Sequence, residues 1–318
     1  MRLVVIGGTG HIGTFLIPRL VNAGHDVIVA SRGNREPYVP HPAWTEVLRI
    51  EIDRTAEDRA GTFGARIAAL EADAVIDLIC FTPASAQHVV NALQPRQTLL
   101  LHCGTMWVHG LPTIVPSTEG DPRHPFGDYG IQKAAIEQLL LDSTRRGVAR
   151  AVILHPGHMV GPGWNPLNPA GHFNPEVFTL IARGELLQLP NEGLETVHHV
   201  HADDVAQAFE LAINHPDDAV GESFHVVSPA PLTLRAYAEG MFAHFGQRAR
   251  LGFLPWDDWR HTVTEDEAEA TWDHIAHSPN GSIAKARERL GYVPRYTSLE
   301  AVIESVNALI AAGVVHVP

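Results

Sequence analysis

The stretch VVIGGTGHIG, residues 4–13, constrains the fold more than any other. It sets Gly7, Gly10 and Gly13 in G-x-x-G-x-x-G spacing between the apolar run RLVVI and the amphipathic run IGTFLIPRLVNAG. The first glycine permits a tight turn, the second lets backbone amides approach a pyrophosphate, and the third lets a helix pack closely on a strand. The helix N-terminus that follows turns its free N–H groups toward the anion. Strand, glycine turn and helix in that order open a βαβ unit, so dinucleotide binding is expected, with Thr9, His11 and Ile12 completing the loop.

The pattern repeats along the first half. DVIVA, TEVLRIEI, AVIDLI, TLLLH and ARAVILH are short apolar runs, separated by amphipathic stretches such as SAQHVVNAL and DYGIQKAAIEQLLLDSTRRG. Alternation of this kind predicts an α/β fold, a Rossmann-type doubly wound parallel sheet covered on both faces. ETVHHVH and ESFHVVS read as a later return to that sheet. The loop PGHMVGPGWNPLNPAGHFNP and the helices after Leu232 predict a smaller, mostly helical substrate lobe. Residues 1–164 and 196–230 are assigned to the dinucleotide domain, and 165–195 and 231–318 to the substrate lobe. The acidic TEDEAEATWDH reads as a solvated helix face.

The end of the second strand discriminates between cofactors, since an acid there binds a ribose hydroxyl and an arginine a 2'-phosphate. Ser31 stands in the acid's place, with Arg32 and Arg35 after it, which favours NADP and leaves NAD as the alternative. Asp53, at the end of the third strand, is placed to accept from the adenine amino group. Ile79, at the end of the apolar run AVIDLI, and Cys80 after it are assigned to the same cofactor edge.

YGIQK puts Tyr129 and Lys133 on one face of a predicted helix. A phenol is a weak base at neutral pH, but a neighbouring ammonium and a positive nicotinamide favour its phenolate. Only Lys133 and Lys285 are lysines among 23 basic residues, so a chain that otherwise uses arginine keeps a compact ammonium here.

A net charge of -13 argues against a nucleic-acid surface, which needs clustered cations. The two cysteines, Cys80 and Cys103, lie in apolar runs and read as reduced thiols in a cytoplasmic protein. The opening MRLVVIGG lacks a signal-peptide pattern, and no run is long and apolar enough to suggest a membrane span.

GGTGHIG, GTMWVHG, YGIQK, HPGHMVGPG, VHADDVA and SIAKARERLGYVP, in that order, make the chain similar to the extended short-chain dehydrogenase/reductases, the NAD-dependent epimerase/dehydratase family. SRG after the second strand also resembles that family's chloroplast stem-loop-binding branch. The resemblance implies that Tyr129 is the general acid/base at a substrate hydroxyl while the nicotinamide exchanges hydride with the same carbon. It further implies that Lys133 holds the nicotinamide ribose and depresses the Tyr129 pKa, and that Thr105 hydrogen-bonds the reacting oxygen. Pro156 and His158 would border the nicotinamide, and the protein would be a homodimer packed partly through the Tyr129 helix.

Several positions depart from the family pattern. Sugar dehydratases carry an Asp-Glu pair after the threonine; here Met106 and Trp107 stand there, which argues against dehydration. Val197 occupies about the place of an arginine that grips a substrate diphosphate, His155 replaces an arginine and His109 a tyrosine. Among 20 histidines, the run His198, His199, His201 lies on a strand where only the latter two share a face, so no metal site is expected. His158, His172, Asn165 and Asn174 are assigned to the substrate, with Met106 and Trp107 as an apolar wall. Trp256 and Trp259 read chiefly as packing.

These features predict an NAD(P)-dependent epimerase or oxidoreductase acting on a secondary hydroxyl of a sugar-like small molecule. An NADPH-dependent reductase of a non-sugar ketone is the alternative. A non-catalytic cofactor sensor or RNA-associated regulator on the same fold is disfavoured by the intact Thr105, Tyr129 and Lys133 and by the acidic charge.

Overall fold

The computed structural model describes residues 1–318. Seven strands form one parallel sheet: β1 (Arg2–Ile6), β2 (Asp26–Ser31), β3 (Leu48–Glu51), β4 (Ala74–Asp77), β5 (Leu99–Cys103), β6 (Arg150–Pro156) and β7 (Ser223–Val226). Their spatial order is β3-β2-β1-β4-β5-β6-β7, so the winding reverses between β1 and β4. At such a reversal the helices on either side leave apart, and a cleft opens beyond the strand C-termini. The connecting helices used below are α1 (His11–Asn22), α2 (Arg54–Ala60), α3 (Phe63–Ala68), α4 (Pro83–Leu93) and α5 (Gly127–Arg145).

Side-chain alternation along β1 sorts the core into two layers. Leu3 and Val5 pack with Ile12, Leu16 and Leu20 of α1, and Val4 and Ile6 pack with Phe63 of α3, Val89 of α4 and Ile136 of α5. Both faces are therefore covered, as a fully apolar parallel strand requires. A third core, containing Leu167, Phe178, Leu189, Tyr237, Trp259 and Val302, belongs to a mostly helical C-terminal body. Ile283, Ala286 and Leu290, late in the chain, pack back into the sheet-side core.

One strand expectation is corrected. ETVHHVH does not rejoin the sheet: Thr196–Val197 pairs antiparallel with Leu232–Thr233, and His199–His201 pairs parallel with His158–Val160. Gly157 explains the second pairing, since a Cβ there would collide with the His198 carbonyl. ESFHVVS does return, as β7. No helix is long and apolar enough to cross a membrane.

Candidate active site

Gly7 has φ +81° and donates its N–H to the Ala30 carbonyl at 2.8 Å, which turns the chain sharply from β1 toward α1. A Cβ on Gly13 would strike the Gly8 backbone, so only glycine lets α1 sit this close. No side chain caps α1, which leaves its first N–H groups free for an anion. Beside the turn lies a cavity of about 330 Å³ whose wall includes Gly7, Thr9, Gly10, Ser31, Arg32, Arg35, Asp53 and Ile79. Arg35 donates to the Tyr38 hydroxyl at 2.6 Å, and Asp53 caps α2 by accepting the Ala56 N–H at 3.0 Å. The glycine turn, the uncapped helix and two guanidinium groups fit a dinucleotide.

Other residues assigned to the cofactor lie off that wall. Ile12 is in the core, and His11 is buried behind the loop, stacked on Trp164 with ring centroids 5.0 Å apart. Gly13 packs helix on turn. Burial pushes the Cys80 thiol up to about 12, and this residue contributes its carbonyl to Lys133 instead.

Thr105 follows β5 and caps the turn Met106–His109, its Oγ1 accepting the Trp107 N–H at 3.3 Å. Its hydroxyl hydrogen thereby remains free to donate into the cavity whose wall it shares with the Tyr129 phenol. Desolvation of the hydroxyl end pushes the Tyr129 phenol up to about 12, opposed by the nearby Thr105 hydroxyl, while the residue as a whole is 42% exposed. One turn along α5, Lys133 is 2% exposed, and its ammonium donates to the Cys80 carbonyl at 2.8 Å and the Cys103 carbonyl at 2.7 Å. It ties the chain beyond β4 to the end of β5. Desolvation lowers the Lys133 pKa, opposed by nearby Cys103, Cys80 and Asp77.

A second cavity, of about 230 Å³, opens at this pair. Its wall includes Thr105, Met106, Trp107, Tyr129, Pro156 and His158, joined by Met159, Trp164, Leu167 and Phe173. Phe81 lines the dinucleotide cavity, and its ring centroid lies 6.5 Å from that of Tyr129, so the two cavities adjoin at Tyr129. Both ring nitrogens of His158 are buried without a hydrogen-bond partner, and burial with neighbouring histidines holds the ring neutral.

Asn165, His172 and Asn174 are not on this wall. Asn165 donates to the Phe173 carbonyl, Asn174 to Glu267 at 2.7 Å, and His172 Nδ1 lies 3.1 Å from the Asn168 amide. They order the loop that carries Trp164, Leu167 and Phe173 to the cavity. Trp256 borders a separate surface cleft with Trp272, and Trp259 is buried, donating to the Gln188 carbonyl at 3.0 Å. His198, His199 and His201 are buried, which pushes the first to about 4, the second to about 3 and the third to about 4.

Sequence reasoning missed Glu137, Arg123 and His225, and it noted His155 and His109 only as replacements. These five form a polar network behind Thr105, buried except for the partly exposed Arg123. The one visible signal was a glutamate four residues after Lys133, on the face of α5 that carries Tyr129.

A doubly wound parallel sheet with threonine, tyrosine and lysine gathered at its open edge defines a short-chain dehydrogenase/reductase architecture. Residues 3–226 match the NAD dependent epimerase/dehydratase family, and the chain belongs to it. It is 28% identical over 282 residues to 2'-dehydrokanamycin reductase of Streptomyces kanamyceticus, covering 86% of this chain and 76% of that protein. It is 23% identical to a chloroplast stem-loop binding protein of 41 kDa from Arabidopsis thaliana, over 96% of this chain and 78% of that one. The fold is shared with a dTDP-glucose 4,6-dehydratase from Bacillus anthracis solved in complex with NAD: TM-score 0.75 at 15% identity, covering 98% of this chain and 97% of that one. These relatives support an NAD(P)-dependent enzyme of the short-chain dehydrogenase/reductase type.

Proposed function

We propose that this protein interconverts a secondary hydroxyl and a carbonyl on a compact, sugar-like substrate, as an oxidoreductase or epimerase with bound NADP. The observation that carries the reading is the meeting of the two cavities at Tyr129, with the Thr105 hydroxyl on the same wall. The nicotinamide, when bound, exchanges hydride with the substrate carbon. Tyr129 holds the proton that the substrate oxygen gains in reduction and loses in oxidation. Its high pKa in the protein keeps it protonated and ready to donate. Thr105 donates to the same oxygen, and Lys133, its ammonium 5.8 Å from the Tyr129 ring centroid, favours the phenolate after proton transfer. Two of its N–H groups go to the Cys80 and Cys103 carbonyls, and the family resemblance assigns the third to the cofactor's ribose. Arg32, Arg35 and Ser31 support NADP over NAD, since guanidinium groups pair with a 2'-phosphate.

Met106 and Trp107 in the cavity wall support oxidation-reduction or epimerisation rather than dehydration, for which a carboxylic acid and base would be needed there. The apolar wall also favours a second reading, reduction of a less polar ketone, because Trp164, Leu167 and Phe173 present no hydrogen-bonding group to a polyol except through the indole. His158, with two unpartnered nitrogens, would supply a polar contact beyond the hydroxyl pair and the indoles. Family likeness and the half-exposed Ile131 on α5 support a homodimer, and the reduced cysteines fit a cytoplasmic site.

Screening NADPH oxidation against keto-sugars and cyclic ketones tests the reading, with Tyr129→Phe as control. The variant is expected to lose at least about 100-fold in turnover and to bind NADPH as the parent does. Near-parental turnover by Tyr129→Phe would show that the base is elsewhere.

A further inference from the structure

Glu137 lies one turn beyond Lys133 on α5 and is 3% exposed. Its carboxylate accepts from Arg123 Nε at 2.9 Å and Nη2 at 2.8 Å, and lies 3.0 Å from His155 Nε2. On its other side the fully buried His155 places Nδ1 3.0 Å from the Thr105 amide nitrogen. An amide N–H can only donate, so Nδ1 presents its lone pair and the ring proton sits on Nε2, aimed at Glu137. A Cβ on Gly104 would occupy the place of that ring, so glycine admits the imidazole beneath the strand end.

The same proton assignment continues outward without conflict. Arg123 Nη1 donates to His109 Nδ1 at 3.4 Å, His109 Nε2 then donates to His225 Nε2 at 2.7 Å, and His225 Nδ1 donates to the Ser282 carbonyl at 3.2 Å. Burial alone would raise the Glu137 pKa, but His155 and Arg123 hold it well below the usual carboxylate range. The carboxylate is therefore an anion held between the Arg123 guanidinium and the His155 ring.

We propose that Glu137 and His155 are positioning residues that set the Thr105 hydroxyl against the Tyr129 phenol by holding the Thr105 amide from beneath. This rests on the reading of Thr105 and Tyr129 as the reacting pair. Glu137 and Tyr129 share α5, whereas Thr105 sits past the end of β5. One imidazole locks strand end to helix, and a misplacement of about 1 Å at such a pair costs on the order of 100-fold in rate.

The test uses the NADP-saturated protein labelled with 13C at the tyrosine Cζ, a nucleus that reports hydrogen bonding of the phenol. Of the five tyrosines, Tyr129 is the signal absent from Tyr129→Phe. Thr105→Val is expected to shift it, and His155→Leu to reproduce that shift. Glu137→Gln, which keeps the side-chain shape, is expected to shift it in the same direction by less. His155→Asn, whose carbonyl stands where Nδ1 does, is expected to restore most of the parental signal; a merely structural role for His155 predicts no such rescue. If Thr105→Val moves the Tyr129 signal while neither Glu137→Gln nor a folded His155→Leu does, the positioning role is overturned and the reacting pair stands. If Thr105→Val leaves the signal unmoved, the reacting pair itself is wrong.

Discussion

Replacing Lys133 with methionine tests the most constrained cation in the protein. Its side chain is 2% exposed, and it donates to two buried carbonyls at 2.8 and 2.7 Å, one beyond β4 and one at the end of β5. Methionine fills a similar volume but donates nothing, so both carbonyls lose a charge-assisted bond, worth about 1.5–3 kcal/mol each. Relief from burying an ammonium offsets part of that, since desolvation already lowers the Lys133 pKa. A net loss of about 2–4 kcal/mol is expected. With an unfolding entropy of roughly 2.1 cal/mol/K per residue, 318 residues convert this to a Tm about 3–6 °C lower. Calorimetry of the cofactor-free protein reads it directly. Lys133→Arg should not restore the parent, because a planar guanidinium is larger than the ammonium that meets these two carbonyls. A Tm for Lys133→Met within about 1 °C of the parent, or full recovery in Lys133→Arg, would refute the reasoning.

Two further outcomes follow from the same structure. Serine at both Arg32 and Arg35 is expected to raise the Kd for NADPH by about 10- to 100-fold and leave that for NADH unchanged, read by fluorescence titration; equal losses for both cofactors would contradict a 2'-phosphate role. His11, His109 and His199 are pushed to about 3, and His198, His201 and His274 to about 4, mainly by burial. Because these folded-state values lie below that of the unfolded chain, the unfolded state binds more protons as pH falls through about 6.5 toward 4. Stability present above pH 6.5 is then lost, by about 1 kcal/mol per histidine between pH 7 and 5.5, or several in all. Urea unfolding at both values measures it, and equal midpoints would show that these rings titrate normally.

Local sequence determined the features that depend on neighbours along the chain. A strand followed by G-x-x-G-x-x-G could only become a tight βα turn, and four-residue spacing placed Tyr129 and Lys133 on one helix face. Thr105 was legible because a buried strand that ends at a parallel sheet's open edge presents the next residues to the cleft. Other roles depend on partners far away in sequence. Asn174 looked like a ligand contact until Glu267, 93 residues on, accepted its amide. ETVHHVH carried a strand pattern, yet only the folded chain put His158–Val160 beside it rather than the main sheet. His155 could be seen to replace an arginine, but not to bond the Thr105 amide 50 residues before it and Glu137 18 residues before it. Hydrophobic period and turn chemistry act within a few residues, so sequence alone determined the scaffold and the Tyr129–Lys133 helix face. Hydrogen bonds between buried polar groups are satisfied by whichever partner packing brings within 3 Å, so tertiary structure alone decided what stands behind Thr105 and what lines its cavity.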